Sequence, residues 1–330
     1  MPVRIYSDVV IRYNTIIIFS AVKNFLRFEV LGENPHERRE PLHPFSYVAP
    51  KTIDEAVAIL EKNGNRARPL AGGTDLLVQA RANKWDLDAV VDIKKIPETM
   101  NLEVSQAGLT VGSGVPCYQI YDNEKIKKEY PGLVDGAFII GGIQIQSRAG
   151  IGGNLCNASP SADAICPLIV YGATAHISGP SGSREVAVED FCTGPGVTVL
   201  QNGELLVKIV LPKPNAGSGA AYERFIPRNE MDIAVAAVAV SVQLNTNGDS
   251  FESARIALAA VGPTPILATK AGSSLSGKPI NEDSISEAAS LAKEEASPIS
   301  DMRGTIEQRK HLIEVITARM IKEAVKRARR

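Results

Sequence analysis

Between Gly136 and Gly153 the chain places six of its 27 glycines, and the stretch from Gly141 to Leu168 reads GGIQIQSRAGIGGNLCNASPSADAICPL. A backbone this bare of Cβ atoms narrows what the segment can be. At Gly150, Gly152 and Gly153 it is free to take φ > 0, and a ligand can approach its N–H groups closely. Consecutive N–H groups in such a turn form a concavity suited to anionic oxygen, typically phosphate. A helix is expected to start near Ser161 or Ala162, with Ser159 or Ser161 as cap, so that its positive end lies near the same loop. The stretch on its own fits a tight connection between packed elements equally well.

A second segment of the same kind shifts that balance. Ala71-Gly72-Gly73-Thr74-Asp75 sits inside RPLAGGTDLLVQ, with an apolar approach (Ala67, Pro69, Leu70) and an apolar helical start after it. Two glycine pairs 80 residues apart, Gly72-Gly73 and Gly152-Gly153, suggest the two sides of one diphosphate clamp. Neither is a P-loop, since no Gly-Lys-Ser/Thr follows, and neither fits the G-x-G-x-x-G dinucleotide fingerprint. The residues alone specify a phosphate-bearing ligand and no more.

Composition excludes several other classes. The net charge is −1, which leaves no basic face for nucleic acid. The cysteines (Cys117, Cys156, Cys166, Cys192) form no C-x-x-C pair and no zinc-type spacing, and read as buried reduced thiols of a cytoplasmic protein. The histidines (His36, His43, His176, His311) are scattered, with no H-E-x-x-H. Redox chemistry would thus need an organic cofactor. The apolar run 9–22 is interrupted by Arg12 and Asn14, short of a membrane span, and lacks the flanks of a signal peptide. Residues 1–40 read as a disordered or non-homologous extension.

In chain order, Thr52-Ile-Asp-Glu55 is a capping box opening a helix that ends at Gly64. A strand delivers the first glycine loop, and a helix follows over about 75–83. A buried strand is expected at 89–93, a hairpin at 102–114, and helices at 118–129 and 133–140. Strands follow at 173–178, 183–188 and 204–212, and KPNAGSG (213–219) has linker composition. Beyond it, small-apolar runs at 233–244 and 253–261 suggest paired strands buried on at least one face. Helices are expected at 266–273, 282–296 and 306–329. The last carries Leu312, Ile313, Ile316, Met320, Ile321 and Val325 on one side and a basic KRARR tip, read as solvated.

LAGGTDLL followed at this spacing by AGIGGNLCNASPSADAICPL resembles the FAD-binding medium subunit of molybdenum hydroxylases, the family of xanthine dehydrogenase, carbon monoxide dehydrogenase and 4-hydroxybenzoyl-CoA reductase. PISDMRGT (298–305) is similar to the family's motif before its last helix, so the likeness covers about 41–327. The resemblance implies an α+β fold: a two-part PCMH-type FAD-binding domain over 41–217, then a smaller α+β domain over 218–330 with antiparallel strands packed against helices. It assigns Leu70, Ala71, Gly72, Gly73, Thr74, Asp75, Leu76 and Leu77, with Gly150, Ile151, Gly152, Gly153 and Asn154, to FAD, mainly its diphosphate. Asp163 matches a FAD-contacting Asp; because a carboxylate is repelled by diphosphate, a ribose or ribitol hydroxyl is its expected partner. Ile140 and Leu206 match apolar contacts to the flavin. Arg224 stands where relatives often carry Lys, and a planar guanidinium is not interchangeable with an ammonium.

The resemblance further implies noncovalent FAD. Molybdenum cofactor and 2Fe-2S clusters would belong to partner subunits, one large and one small. Electrons would pass from those clusters through the flavin to an acceptor such as NAD, with no catalytic residue and no metal ligand in this chain. No cysteine-rich insertion of the 4-hydroxybenzoyl-CoA reductase type is present in the sequence. Two other readings stand beside this one: a stand-alone FAD oxidase of the vanillyl-alcohol-oxidase-like fold, for which the C-terminal part is small, and a non-redox nucleotide-binding or assembly module.

Overall fold

The computed structural model describes residues 42–330 apart from Asn229, with four two-residue strand fragments nearer the N-terminus. The expectation of an extension over 1–40 falls mainly outside the described residues. The first helix, Ile53–Asn63, starts where its sequence says it should: Thr52 Oγ1 accepts the Glu55 N–H at 3.2 Å. The Glu55 carboxylate accepts the Lys51 N–H rather than that of Thr52, so the capping box closes one residue early. Ala56 and Leu60 then face a three-stranded parallel sheet in the order Ser46–Val48, Ala89–Asp92, Ala67–Leu70. Every residue of the central strand, AVVD, is buried, as expected of a parallel strand covered on both sides.

The second layer is a five-stranded antiparallel sheet in the order Gly182–Ala187, Thr174–Gly179, Leu205–Pro212, Gly108–Gly112, Leu102–Val104. Short helices between 117 and 170 pack on it and build the largest core, around Ile120, Leu133, Ile151, Leu155, Ile165 and Leu168. The helix expected at Ser161 or Ala162 begins later, at Ile165. Ser159 and Ser161 bond each other at 3.1 Å and cap nothing. The chain is held there by a distant residue: Asn154 Oδ1 accepts the Ala164 N–H at 3.1 Å. No local pattern carries such a contact.

The third layer is a four-stranded antiparallel sheet, Ser218–Phe225, Ala236–Leu244, Phe251–Ala259 and Ile266–Leu267. The region 266–273, read as helical, is this short edge strand followed by the helix Thr269–Ser274. Val238, Val240 and Val242 point toward the helices Glu282–Glu295 and Ile306–Ala328, while Ala237 and Ala239 join the core of the preceding layer. Both faces of this sheet are therefore buried, and the alanines on one of them let the layers approach closely. The linker-like segment 213–219 accordingly connects strands that share a continuous core. The basic C-terminal tip is not simply solvated either. Arg327 reaches across to Asp135 at 2.6 Å and to the Ala220 carbonyl at 2.9 Å, tying the last helix to Pro131–Phe138.

Candidate functional site

The strand Ala67–Leu70 delivers its glycine pair at its end, and the two glycines serve different ends. Gly73 has φ +76°, in the left-handed region where a side chain is strained. Gly72 is needed for packing, since a Cβ there would fall on the Arg148 carbonyl. Arg148 Nε in turn donates to the Gly72 carbonyl at 3.1 Å. The two glycine segments, remote in sequence, thus touch through residues 72 and 148–149.

The second segment differs from its expected form. Gly150 is the N-cap of a helix, Ile151–Asn157, so that Gly152 and Gly153 lie in its first turn, and none of the three has positive φ. What requires glycine is proximity. A Cβ on Gly150 would meet the Val115 carbonyl, and one on Gly152 would lie 2.5 Å from the Ser113 carbonyl. Gly153 is the exception, because a Cβ there would meet nothing within 4 Å. The first N–H groups of a helix have no partner within it, so this turn presents donors next to an unfilled space.

That space is a cleft of about 330 Å³ between the parallel sheet and the helical layer. It is lined by Ala71, Gly72, Gly73, Thr74, Asp75, Leu76, Ile140, Gly150, Gly152, Gly153, Asn154 and Leu206 of the residues expected from the sequence. Leu70, Leu77, Ile151, Asp163 and Arg224 do not line it. Leu70 and Ile151 are core residues, and Leu77 flanks Gly73 from outside. The structure adds Ser113, Arg68, Gln79, Trp85, Asn157 and a loop around 198–205, none of which the glycine pattern marks. Ser113 Oγ is buried without a hydrogen-bond partner, directly below Gly152. Backbone donors, an orphaned hydroxyl and open space at Gly153 suit a dinucleotide diphosphate.

Asp163 is not among the residues that line the cleft. Its carboxylate is buried and both oxygens are bonded: Tyr222 Oη donates to one at 2.8 Å, and Arg224 Nη1 meets the other at 2.5 Å. Arg224 is its counter-ion, and each carboxylate oxygen keeps a further lone pair. Burial pushes the Asp163 carboxyl up to about 6, against the opposing pull of Arg224 and Tyr222. Two carboxylates line the cleft, Glu204, which is paired with Arg184 at 2.7 Å, and Asp75. No side chain among the described residues is hydrogen-bonded to it, and desolvation between the cleft walls raises its pKa while Lys84 lowers it. A hydroxyl-bearing ligand would find its acceptor there.

Two thiols near the site are inert. Burial pushes Cys156, which lines the cleft, up to about 12 and Cys192 up to about 11, so both stay protonated at neutral pH. Among the described residues no group of His, Cys, Asp or Glu is placed to hold a metal ion. The cleft's own chemistry is binding.

Comparison with known proteins accords with this geometry. Residues 43–214 match the FAD binding domain in molybdopterin dehydrogenase, and residues 220–324 match the CO dehydrogenase flavoprotein C-terminal domain. The chain is 33% identical over 282 residues to the putative xanthine dehydrogenase FAD-binding subunit of Escherichia coli K12, covering 85% of this chain and 96% of that one. It is 32% identical to the carbon monoxide dehydrogenase medium chain of Afipia carboxidovorans, over 86% of this chain and 98% of the other. Among solved structures, a chain of the reconstituted CO dehydrogenase from Oligotropha carboxidovorans superposes with a TM-score of 0.83 at 32% identity, covering 87% of this chain and all of that one.

Proposed function

This chain belongs to the FAD-binding medium subunits of the molybdenum hydroxylase family, the oxidoreductase subunits of xanthine and carbon monoxide dehydrogenase type, and from that premise we propose that it is the electron outlet of such a complex. The cleft would hold FAD noncovalently, and bound flavin would supply the chemistry that joins single electrons from an iron–sulfur subunit to a two-electron acceptor such as NAD. Substrate oxidation belongs to a molybdenum-cofactor subunit. The observation that carries this reading is the meeting of the two glycine segments around one open cleft at Gly153.

The chain's own residues do the holding. The backbone at Gly72, Gly73, Gly152 and Gly153 would take the diphosphate, Asp75 a sugar hydroxyl, and Ile140 and Leu206 the apolar ring. Leu70 to Leu77, Gly150 to Asn154, Asp163 and Arg224 divide accordingly into lining residues and those that support them from behind. We place the boundary between FAD-binding and C-terminal domains at 217/218, between the two matched regions.

Assembly with partners is supported by apolar groups left on the surface. Phe138, Ile143, Met231 and Ile233 are exposed, and Gln144 Nε2 lies 3.2 Å from Met231 Sδ, so the two loops adjoin. Arg303 meets Asp232 at 2.9 Å, which brings Ile299 and Met302 beside them. Exposed apolar patches mark interaction sites in otherwise water-facing proteins. No described helix is long and apolar enough to cross a membrane, and the four free thiols suit a cytoplasmic setting.

The test is tagged purification of the chain with its partners. The reading expects flavin to accompany this chain and iron, sulfide and molybdenum to accompany the others. A colourless chain that takes up no added FAD would reduce it to a nucleotide-binding module.

A further inference from the structure

The first glycine segment is shaped by two cations that stand outside the cleft. Asp92 closes the central strand Ala89–Asp92 of the parallel sheet and is the register partner of Leu70, the residue that leads into the segment. Its Oδ1 accepts the Lys94 N–H at 3.0 Å and the Lys94 ammonium at 2.6 Å, so one carboxylate oxygen fixes both ends of that residue. Tyr47 Oη, from the neighbouring strand, donates to the other oxygen. Burial works to raise the Asp92 carboxyl, but Lys94 and Tyr47 hold it below the ordinary carboxylate range, and it is charged at neutral pH. Anchored in this way, Lys94 Nζ donates to the Ala71 carbonyl at 2.7 Å. One peptide further on, Arg148 Nε donates to the Gly72 carbonyl at 3.1 Å.

These two bonds decide where the donors of the turn point. In a trans peptide the C=O and the N–H of one plane face opposite ways. A carbonyl drawn to a cation outside the cleft therefore turns the N–H of the same plane away from that cation. The two planes concerned carry the Gly72 and Gly73 N–H groups, and neither donates to a described residue. Ala71, Gly72 and Gly73 line the cleft, whereas Lys94 and Arg148 do not. Nothing in the turn itself prevents the opposite arrangement. Gly73 sits at φ +76°, and as a glycine it tolerates the flipped peptide plane as readily. A flipped plane would put a carbonyl oxygen where an anion needs an N–H.

We propose that Lys94 and Arg148 are positioning residues for the anion cradle: by holding the Ala71 and Gly72 carbonyls out of the cleft, they keep the Gly72 and Gly73 N–H groups turned toward a diphosphate. The proposal rests on the assignment of the cleft to FAD and adds to it the two side chains that set the donors of this turn. Neither cation touches the ligand. Each acts through one carbonyl, and Asp92 with Tyr47 holds Lys94 in place to do so.

The experiment uses the full chain freed of flavin, with FAD and riboflavin as probes, since riboflavin carries the ring and ribityl chain of FAD but no phosphate. Arg148→Met is the leading variant because Arg148 is exposed, whereas Lys94→Met leaves the buried Asp92 without its ammonium. Each substitution is expected to raise the FAD dissociation constant about tenfold, the scale of one charge-assisted hydrogen bond, and to leave riboflavin affinity as it was. With FAD at saturation, the phosphorus NMR resonances of its diphosphate should move from their native bound positions toward those of free FAD. Unchanged FAD affinity, equal weakening of both ligands, or phosphorus resonances at their native positions would each overturn the proposal. Should Lys94→Met not fold, Arg148→Met decides, and should riboflavin bind too weakly to titrate, the phosphorus positions decide. A wild-type chain that takes up no FAD would instead refute the cofactor assignment on which the proposal stands.

Discussion

Replacing Arg224 by Ala tests whether this residue serves the cofactor or Asp163. Arg224 and Asp163 are both nearly sealed from water, with side chains 7% and 9% exposed, and meet at 2.5 Å. Removing one partner of a buried pair costs about 3–5 kcal/mol, because the other charge is left uncompensated. The pH dependence identifies that charge. In the native protein burial raises the Asp163 carboxyl from 3.8 to about 6. A carboxyl raised on folding adds stability below its unfolded value, and that stability is lost as pH rises through the folded value. The native loss is complete somewhat above pH 6, at about 3 kcal/mol for a shift of about two units. Without Arg224 the carboxyl must stay protonated to higher pH, so the variant goes on losing about 1.4 kcal/mol per pH unit beyond that point. Urea unfolding of the flavin-free chain, followed by far-ultraviolet circular dichroism between pH 5.5 and 8, reads the difference. The deficit of the variant should be small near pH 5.5 and reach about 3 kcal/mol by pH 8. A deficit that stays constant with pH, or remains below about 1 kcal/mol at pH 8, would refute the pairing argument.

Four further outcomes follow from the same reading. Gly153→Val should leave the melting temperature within a few degrees of native, since its Cβ meets nothing and the backbone φ is ordinary, yet sharply weaken FAD binding in a titration. Gly152→Ala should do the reverse in kind, costing about 1–3 kcal/mol in urea unfolding through overpacking on Ser113, because its Cβ would stand 2.5 Å from that carbonyl. Acid precipitation of the holo-chain should release all flavin to the supernatant; flavin retained in the pellet would contradict noncovalent binding. The purified single chain should oxidise no substrate of the assembled complex; dye reduction with NADH would be compatible with the account, whereas unaided substrate turnover would favour a stand-alone oxidase.

Much of the architecture is legible in local sequence because local rules produce it. Thr52 caps a helix, the run AVVD is a strand buried on both sides, and the stripe from Ile313 to Val325 is the buried side of the last helix. The glycine pairs are legible as one cleft, but the reason for them is not. Sequence suggests left-handed backbone at Gly150, Gly152 and Gly153; in the structure these glycines admit Val115 and Ser113, residues more than 30 positions away that no local pattern couples to them. The surroundings of Asp163 are hidden from the sequence for the same reason. A motif position says that a carboxylate stands near the cofactor, but its burial under Tyr222 and Arg224 is decided by a strand from another sheet. The late start of the helix at Ile165 likewise depends on Asn154 reaching Ala164. Arg68 and Trp85 line the cleft without a mark in the local sequence, because distant elements bring them there.

The central claim is that electrons between the partner clusters and the acceptor pass through a flavin in this cleft. Anaerobic NADH titration of the assembled complex, with flavin and iron–sulfur absorbance followed together, tests it most directly. The account predicts that NADH bleaches both chromophores in the native complex. In a complex assembled with Gly153→Val and lacking flavin, the clusters should stay oxidised under NADH while dithionite still reduces them. Clusters reduced by NADH as readily without flavin as with it would contradict the account.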